Sequence, residues 1–137
     1  MKLSWDEYFI LLANTVKLRS PDPKTQVGCV LVSMKNHRIL SSGYNGLPSG
    51  FDETKIDWMD RPQVYKHIIH AESNCLLYAD SKFEDTVLYT TLSPCNNCVK
   101  TLAAARVRRI VFLDKYRDYA TTKELCKEFG IVLEEYK

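Results

Sequence analysis

Four side chains in two short runs set what chemistry this chain could do. His70-Ala71-Glu72 is followed, 22 residues after the glutamate, by Pro94-Cys95-Asn96-Asn97-Cys98, and both runs fall where the pattern predicts the opening of a helix. At a helix N-terminus the free amides and the positive end of the dipole favour thiolate over thiol, and thiolate is the form that binds metal. Cysteines separated by two residues share a helical face, so both sulfurs can reach a single ion, with His70 from a neighbouring helix as third donor. A structural zinc site usually has four protein ligands; a catalytic one keeps three and leaves the last position to water, whose pKa drops from roughly 15.7 to about 7. The count here is three. Glu72 stands two residues from His70, off its helical face, and so reads as a neighbour of the ion, suited to carrying protons as general acid and base.

Blander readings exist for each element. A Cys-x-x-Cys alone could be a redox pair or two surface thiols, and it is the addition of His70 and Glu72 that favours catalytic zinc. Cys29, Cys75 and Cys126 sit in apolar or helical contexts, where free cysteine packs as a small hydrophobe. His67, one turn before His70, is expected to pack or to serve an effector site. Lys24 and Arg117 could be solvated surface charges, and the glycines of residues 43–50 could merely make tight turns.

These residues need a scaffold. Apolar spacing from Trp5 to Val16, with Ser4 and Glu7 as a capping box, predicts a helix over 4–19 that stops at Ser20-Pro21-Asp22-Pro23. The apolar run 27–32 predicts a strand covered on both faces, and 39–44 its neighbour. Residues 45–61 read as a long loop, a candidate ligand lid. A helix is expected over 70–80, a strand over 86–92, and a helix capped by Ser93 with Pro94 in its first turn. Then come a strand over 109–113, a helix opened by Thr121 and Glu124 and closed by Gly130, and a last strand over 131–133. Alternating strands and helices predict an α/β fold with helices on both faces of a central sheet, in three layers and one domain spanning 1–137.

The 137 residues are 45% hydrophobic and 26% charged, with a net charge of +2, a composition of ordered globular proteins. No apolar run is long enough to span a bilayer. The weak basicity suits a small anionic ligand and argues against a nucleic-acid strand as partner. Acidic residues at the start, where a signal peptide needs its apolar segment, point to the cytoplasm, and in a reducing compartment five cysteines, an odd number with two as Cys95-x-x-Cys98, suggest metal binding or redox chemistry before structural disulfides.

H-x-E followed by P-C-x-x-C is the signature of zinc deaminases acting on nucleobases. Around it, Arg19-Ser20, Asp22-Pro23, Gln26-Val27-Gly28, Gly43-Tyr44-Asn45-Gly46-Leu47-Pro48-Ser49-Gly50 and Asp114-Lys115-Tyr116 make the chain resemble deoxycytidylate deaminases over most of its length. That resemblance implies a mixed five-stranded sheet of cytidine deaminase type. It also implies hydrolysis of deoxycytidine monophosphate to deoxyuridine monophosphate and ammonia, feeding thymidylate synthesis: water activated by zinc attacks carbon 4 while Glu72 protonates ring nitrogen 3. The Ala71 amide would bind the base carbonyl, the Ser93 carbonyl the amino group and Asn45 the sugar, with Tyr116 bordering the base; by motif position Lys24 and Arg117 would take the phosphate. The family implies a hexamer, activated by deoxycytidine triphosphate and inhibited by thymidine triphosphate. Its effector loop would include Gly46, Gly50, Phe51, Asp52 and Glu53, with Mg²⁺ mediating between carboxylates and triphosphate. Some relatives carry a second zinc on cysteines that this chain lacks between residues 30 and 74, so a single zinc is expected. The competing functions are a polynucleotide or tRNA deaminase and a non-catalytic zinc-containing nucleotide sensor.

Overall fold

The computed structural model describes residues 1–80 and 84–137. Ser4 Oγ accepts from the Glu7 amide at 3.1 Å, the Ser4 half of the expected capping box, and opens α1 (Trp5–Val16), which tightens into a single 3₁₀ turn, Lys17–Arg19. β1 (Gly28–Ser33) follows with all six residues buried, then β2 (Ile39–Tyr44). A 3₁₀ turn (Glu53–Lys55) and α2 (Arg61–His67) lie within the connection to α3 (Ala71–Leu77). β3 (Thr86–Leu92), α4 (Asn96–Ala104), β4 (Val107–Asp114), α5 (Tyr119–Phe129) and β5 (Val132–Glu135) complete the order.

The five strands form a mixed sheet in the order β2-β1-β3-β4-β5. β1 pairs antiparallel with both β2 and β3, whereas β3-β4 and β4-β5 are parallel. Alternation along the strands splits the core in two. Cys29, Leu31, Leu88 and Ile110 face Ala71 and Cys75 of α3, Val99 and Leu102 of α4, and Cys126 of α5. Val30, Val32, Val87, Tyr89 and Val111 face Phe9, Ile10 and Ala13 of α1. The result is the expected three-layer α/β/α arrangement, with α1 on one face and α3, α4 and α5 on the other. Burying each of the Val, Leu, Ile and Phe side chains among these contributes about 1.5–3 kcal/mol, so displacing a strand of the sheet is costly.

Three local expectations are corrected. Residues 45–60 are a connection as expected, broken by the 3₁₀ turn, but the helix that follows was not anticipated: Asp60 accepts from the Gln63 amide and Pro62 occupies the first turn, which starts α2 at Arg61. At seven residues this helix is too short to show a period. α4 is capped by Cys95 and not by Ser93, because the Ser93 amide continues the β3-β4 pairing to the Asp114 carbonyl at 2.9 Å and its Oγ, the atom a cap would use, accepts instead from the Tyr116 amide at 2.7 Å. α5 starts after Asp118 in the left-handed region (φ 61°), and its expected cap, Thr121, lies inside the first turn. Gly130 closes α5 at φ 74°, as its position predicts. Among the described residues no helix is long and apolar enough to cross a membrane.

Candidate active site

The parallel strands β3 and β4 end at the same edge of the sheet, where open α/β sheets place ligands. Because β1 is antiparallel to β3, its start arrives at that edge too, together with the end of β2. A cavity of about 370 Å³ opens there, lined by residues that follow or precede each strand, including Val27, Asn45, Ser93 and Tyr116.

His70 caps α3 and Cys95 caps α4, so two helix N-termini converge on the cavity floor. His70 Nδ1 lies 3.3 Å from Cys98 Sγ and 3.6 Å from Cys95 Sγ, and the two sulfurs are 3.3 Å apart. Zinc bonds of about 2.0–2.3 Å to nitrogen and sulfur fit a triangle of this size, and one imidazole with two thiols is a donor set zinc prefers. Among the described residues the cluster contains no fourth His, Cys, Asp or Glu. Cys95 is pushed down to about 4, chiefly by the hydrogen bond with Cys98 and then by that with His70. Cys98 moves up, since the Cys95 sulfur and Glu72 both face it. Positive charge placed among them is what would hold both as thiolates. His70 is raised above its usual value by its hydrogen bond to Cys95.

Glu72 is 4% exposed, yet it lines the cavity. Burial drives its carboxyl above the usual range, the shift that suits a group that must both hold and release a proton. Its helix is held by three ties to β2 and the chain after it. A Cβ on Gly43 would meet the Cys75 nitrogen at 2.6 Å and the Ala71 carbonyl at 2.8 Å, so only glycine lets α3 lie this close on the strand. Asn74 Nδ2 donates to the Tyr44 carbonyl at 2.8 Å. Gly46 and Ile69 exchange backbone bonds of 3.1 and 2.7 Å, pinning the residue before His70.

Among the other candidates, Asn45, Ala71, Ser93, Tyr116 and Arg117 all line the cavity, and Lys24 is not among the lining residues. Asn45 is set rigidly: its Oδ1 accepts from the Val27 amide and its Nδ2 donates to the Thr25 carbonyl, both at 2.8 Å. Ser93 Oγ accepts from the Tyr116 amide at 2.7 Å, clamping the loop after β4. Arg117 donates from Nε and Nη2 to the Tyr116 hydroxyl at 3.2 and 3.1 Å. The structure adds Asp22, Arg61, Tyr65 and Lys115 to the lining. Lys115 lies 3.8 Å from Glu135 and Arg61 is paired with Asp22. Asp22 and Lys115 stood inside recognised runs of sequence without a role, whereas Arg61 and Tyr65 carried no signal beyond the Asp60-Arg61-Pro62 start of α2.

The expected effector residues lie outside this cavity. Gly46 makes the bridge to Ile69, Gly50 is left-handed at φ 87°, and Phe51 packs on the His67 ring at 5.7 Å. Asp52 caps the 3₁₀ turn that contains Glu53 by accepting from Thr54.

The family described as the cytidine and deoxycytidylate deaminase zinc-binding region matches residues 3–114. A probable deoxycytidylate deaminase of Caenorhabditis elegans is 40% identical over 116 residues, 82% of this chain, and the match spans only 58% of the worm protein's length. The deoxycytidylate deaminase of Mus musculus is 34% identical over 144 residues, 98% of this chain and 80% of its own. The crystal structure of dCMP deaminase from the cyanophage S-TIM5 in complex with dCMP and dUMP is 27% identical, with a TM-score of 0.85 over 99% of both chains. The chain therefore belongs to the zinc-binding cytidine and deoxycytidylate deaminase family.

Proposed function

We propose that this chain hydrolyses deoxycytidine monophosphate to deoxyuridine monophosphate and ammonia, supplying the nucleotide that thymidylate synthesis consumes. The observation that carries this reading is the His70, Cys95 and Cys98 triangle beside buried Glu72, in a cavity at the strand ends. Its support in substrate comes from the likeness to the phage enzyme bound to dCMP and dUMP.

In this reading cytosine lies on the floor with its carbonyl on the Ala71 amide and its amino group toward the Ser93 carbonyl. Asn45, already fixed by two backbone partners, takes the sugar, and Tyr116 bounds the base. His70, Cys95 and Cys98 would hold zinc, which when bound would supply the Lewis acidity that makes water nucleophilic at neutral pH. Glu72 takes the proton released as water adds at carbon 4 and gives it to ring nitrogen 3. It then carries the proton of the new hydroxyl to the amino group, which leaves as ammonia. Arg117 takes the phosphate. Its hydrogen bonds go to the Tyr116 hydroxyl, whereas Arg61 and Lys115 lie near carboxylates.

The reading extends to regulation. Phe51, Asp52 and Glu53, with Gly46 and Gly50 shaping their loop, would receive deoxycytidine triphosphate as activator or thymidine triphosphate as inhibitor through Mg²⁺, in a cytoplasmic hexamer. The test is turnover of cytidine and deoxycytidine mono- and triphosphates by zinc-loaded protein, with and without pyrimidine triphosphates. Ammonia release from deoxycytidine monophosphate, enhanced by deoxycytidine triphosphate, is expected. Deamination of the nucleoside alone would overturn the substrate, and rates indifferent to triphosphates would overturn the regulation.

A further inference from the structure

Arg61 donates from Nη1 and Nη2 to the two carboxylate oxygens of Asp22, at 3.0 and 2.7 Å. The pair is enclosed, with Asp22 2% exposed and Arg61 18%, and both residues line the cavity. Nη1 also reaches the Trp58 carbonyl at 3.0 Å, so the guanidinium is committed to holding protein. Burial works against the Asp22 carboxylate, but Arg61 and the Lys24 and Thr25 amides outweigh it and keep the group below the usual range. A buried pair of this kind is often no more stabilising than apolar residues of the same volume, so what it fixes is position.

What it positions is α2. A seven-residue helix does not persist alone in water, and α2 buries a single side chain, Val64. On the cavity side it presents Tyr65, whose ring lies 5.3 Å from the Arg61 guanidinium. Tyr65, 58% exposed, faces the cavity that Tyr116 and Arg117 also line. Between α2 and His70 stands the Gly46-Ile69 bridge, which ties the chain to the end of β2 independently of where α2 lies.

We propose that the Asp22-Arg61 pair is a positioning latch that fixes α2 as one wall of the nucleotide cavity, governing substrate affinity while the bridge at Ile69 shields the chemistry from its loss. This rests on the proposed substrate. The experiment compares Asp22→Asn, Arg61→Gln, the double variant and Arg61→Lys. Each neutralising variant is expected to raise KM for deoxycytidine monophosphate at least about tenfold with kcat within about twofold, the double variant matching the worse single one. Arg61→Lys, which keeps charge but only one of two bonds, falls between. Amide hydrogen exchange should quicken over residues 61–68 and stay unchanged over 71–77. An unchanged KM, an equal fall in kcat, or additive losses in the double variant overturns the latch. If the parent protein leaves deoxycytidine monophosphate untouched, the substrate reading fails on its own; exchange over 61–68 still decides, and unaltered protection there overturns the latch. Should the neutral variants not fold, Arg61→Lys alone carries both measurements.

Discussion

The floor and the rim of the cavity are built by different rules. On the floor, Ala71 and Cys98 are 1% and 7% exposed, and Ala71 and Cys75 of α3 belong to the sheet's own core. The rim is assembled from Asp22, Tyr65, Lys115 and Arg117, drawn from three separate connections, and Tyr65 and Lys115 are more than half exposed. Glu72 and Cys98 are buried on helices whose other side chains pack into the sheet's core, while His70, exposed, and Cys95, half-buried, stand at the N-terminal ends of those same helices, so the four are positioned by elements that cannot shift without unpacking the core. The rim residues, which in the proposed reading meet the substrate's charged end, are held by hydrogen bonds and ion pairs, which can rearrange locally. A substitution on the floor should therefore cost rate or fold, and one on the rim only affinity.

The sharpest break of this contrast is Glu72→Gln, which keeps size and polarity but cannot carry the proton. kcat should fall about 10²–10⁴-fold while zinc content by metal analysis stays at that of the parent. Unchanged turnover would remove Glu72 from the mechanism. Next is Gly43→Ala. Its Cβ would sit 2.6 Å from the Cys75 nitrogen, a backbone atom that cannot yield alone, and urea unfolding should show a loss of about 1–3 kcal/mol. Gly46→Ala is the matched control: its nearest neighbour is the Tyr44 ring at 3.3 Å, and a loss well under that of Gly43→Ala is expected.

On the rim, Arg117→Ala should raise KM for deoxycytidine monophosphate about tenfold and leave that for deoxycytidine unaltered. Equal effects on both would move the phosphate elsewhere. The smallest effect belongs to a tie on the opposite face of the sheet, where Asp6 accepts from Arg109 at 3.0 and 2.8 Å and from the Tyr89 hydroxyl at 2.6 Å. The Arg109 hydrogen bonds hold the Asp6 carboxyl below its usual range. A depressed carboxylate stabilises the fold above the ordinary pKa of about 3.9 and loses that contribution as pH falls through the lowered value. Asp6→Asn should thus cost under about 1 kcal/mol at pH 7, given the partial exposure of the pair, with the difference from the parent shrinking toward pH 3. Neither kcat nor KM should change.

Residues near in sequence on one element could be read directly. The spacing of His70, Glu72, Cys95 and Cys98 placed them at the openings of two helices, where the structure has His70 and Cys95 as the capping residues, and the continuous apolar run over 27–32 marked β1 as covered on both faces. The roles expected for Asn45, Ala71 and Ser93 came through family resemblance, and the structure places all three on the cavity.

Tertiary structure alone decided the rim. Asp22 and Arg61 are ordinary charges until the loop after α1 folds across the cavity, and α2 is too short for its periodicity to register. Lys24 resembled Arg117 as a phosphate donor by position in a motif, yet only Arg117 borders the cavity. Ser93 was expected to cap α4, but the loop after β4 had the prior claim on its hydroxyl, through the Tyr116 amide. Local chemistry is written in the spacing along the chain. Which distant connections meet at one edge of the sheet depends on how strand order and crossovers bring those ends together, and no periodicity within a single element encodes that.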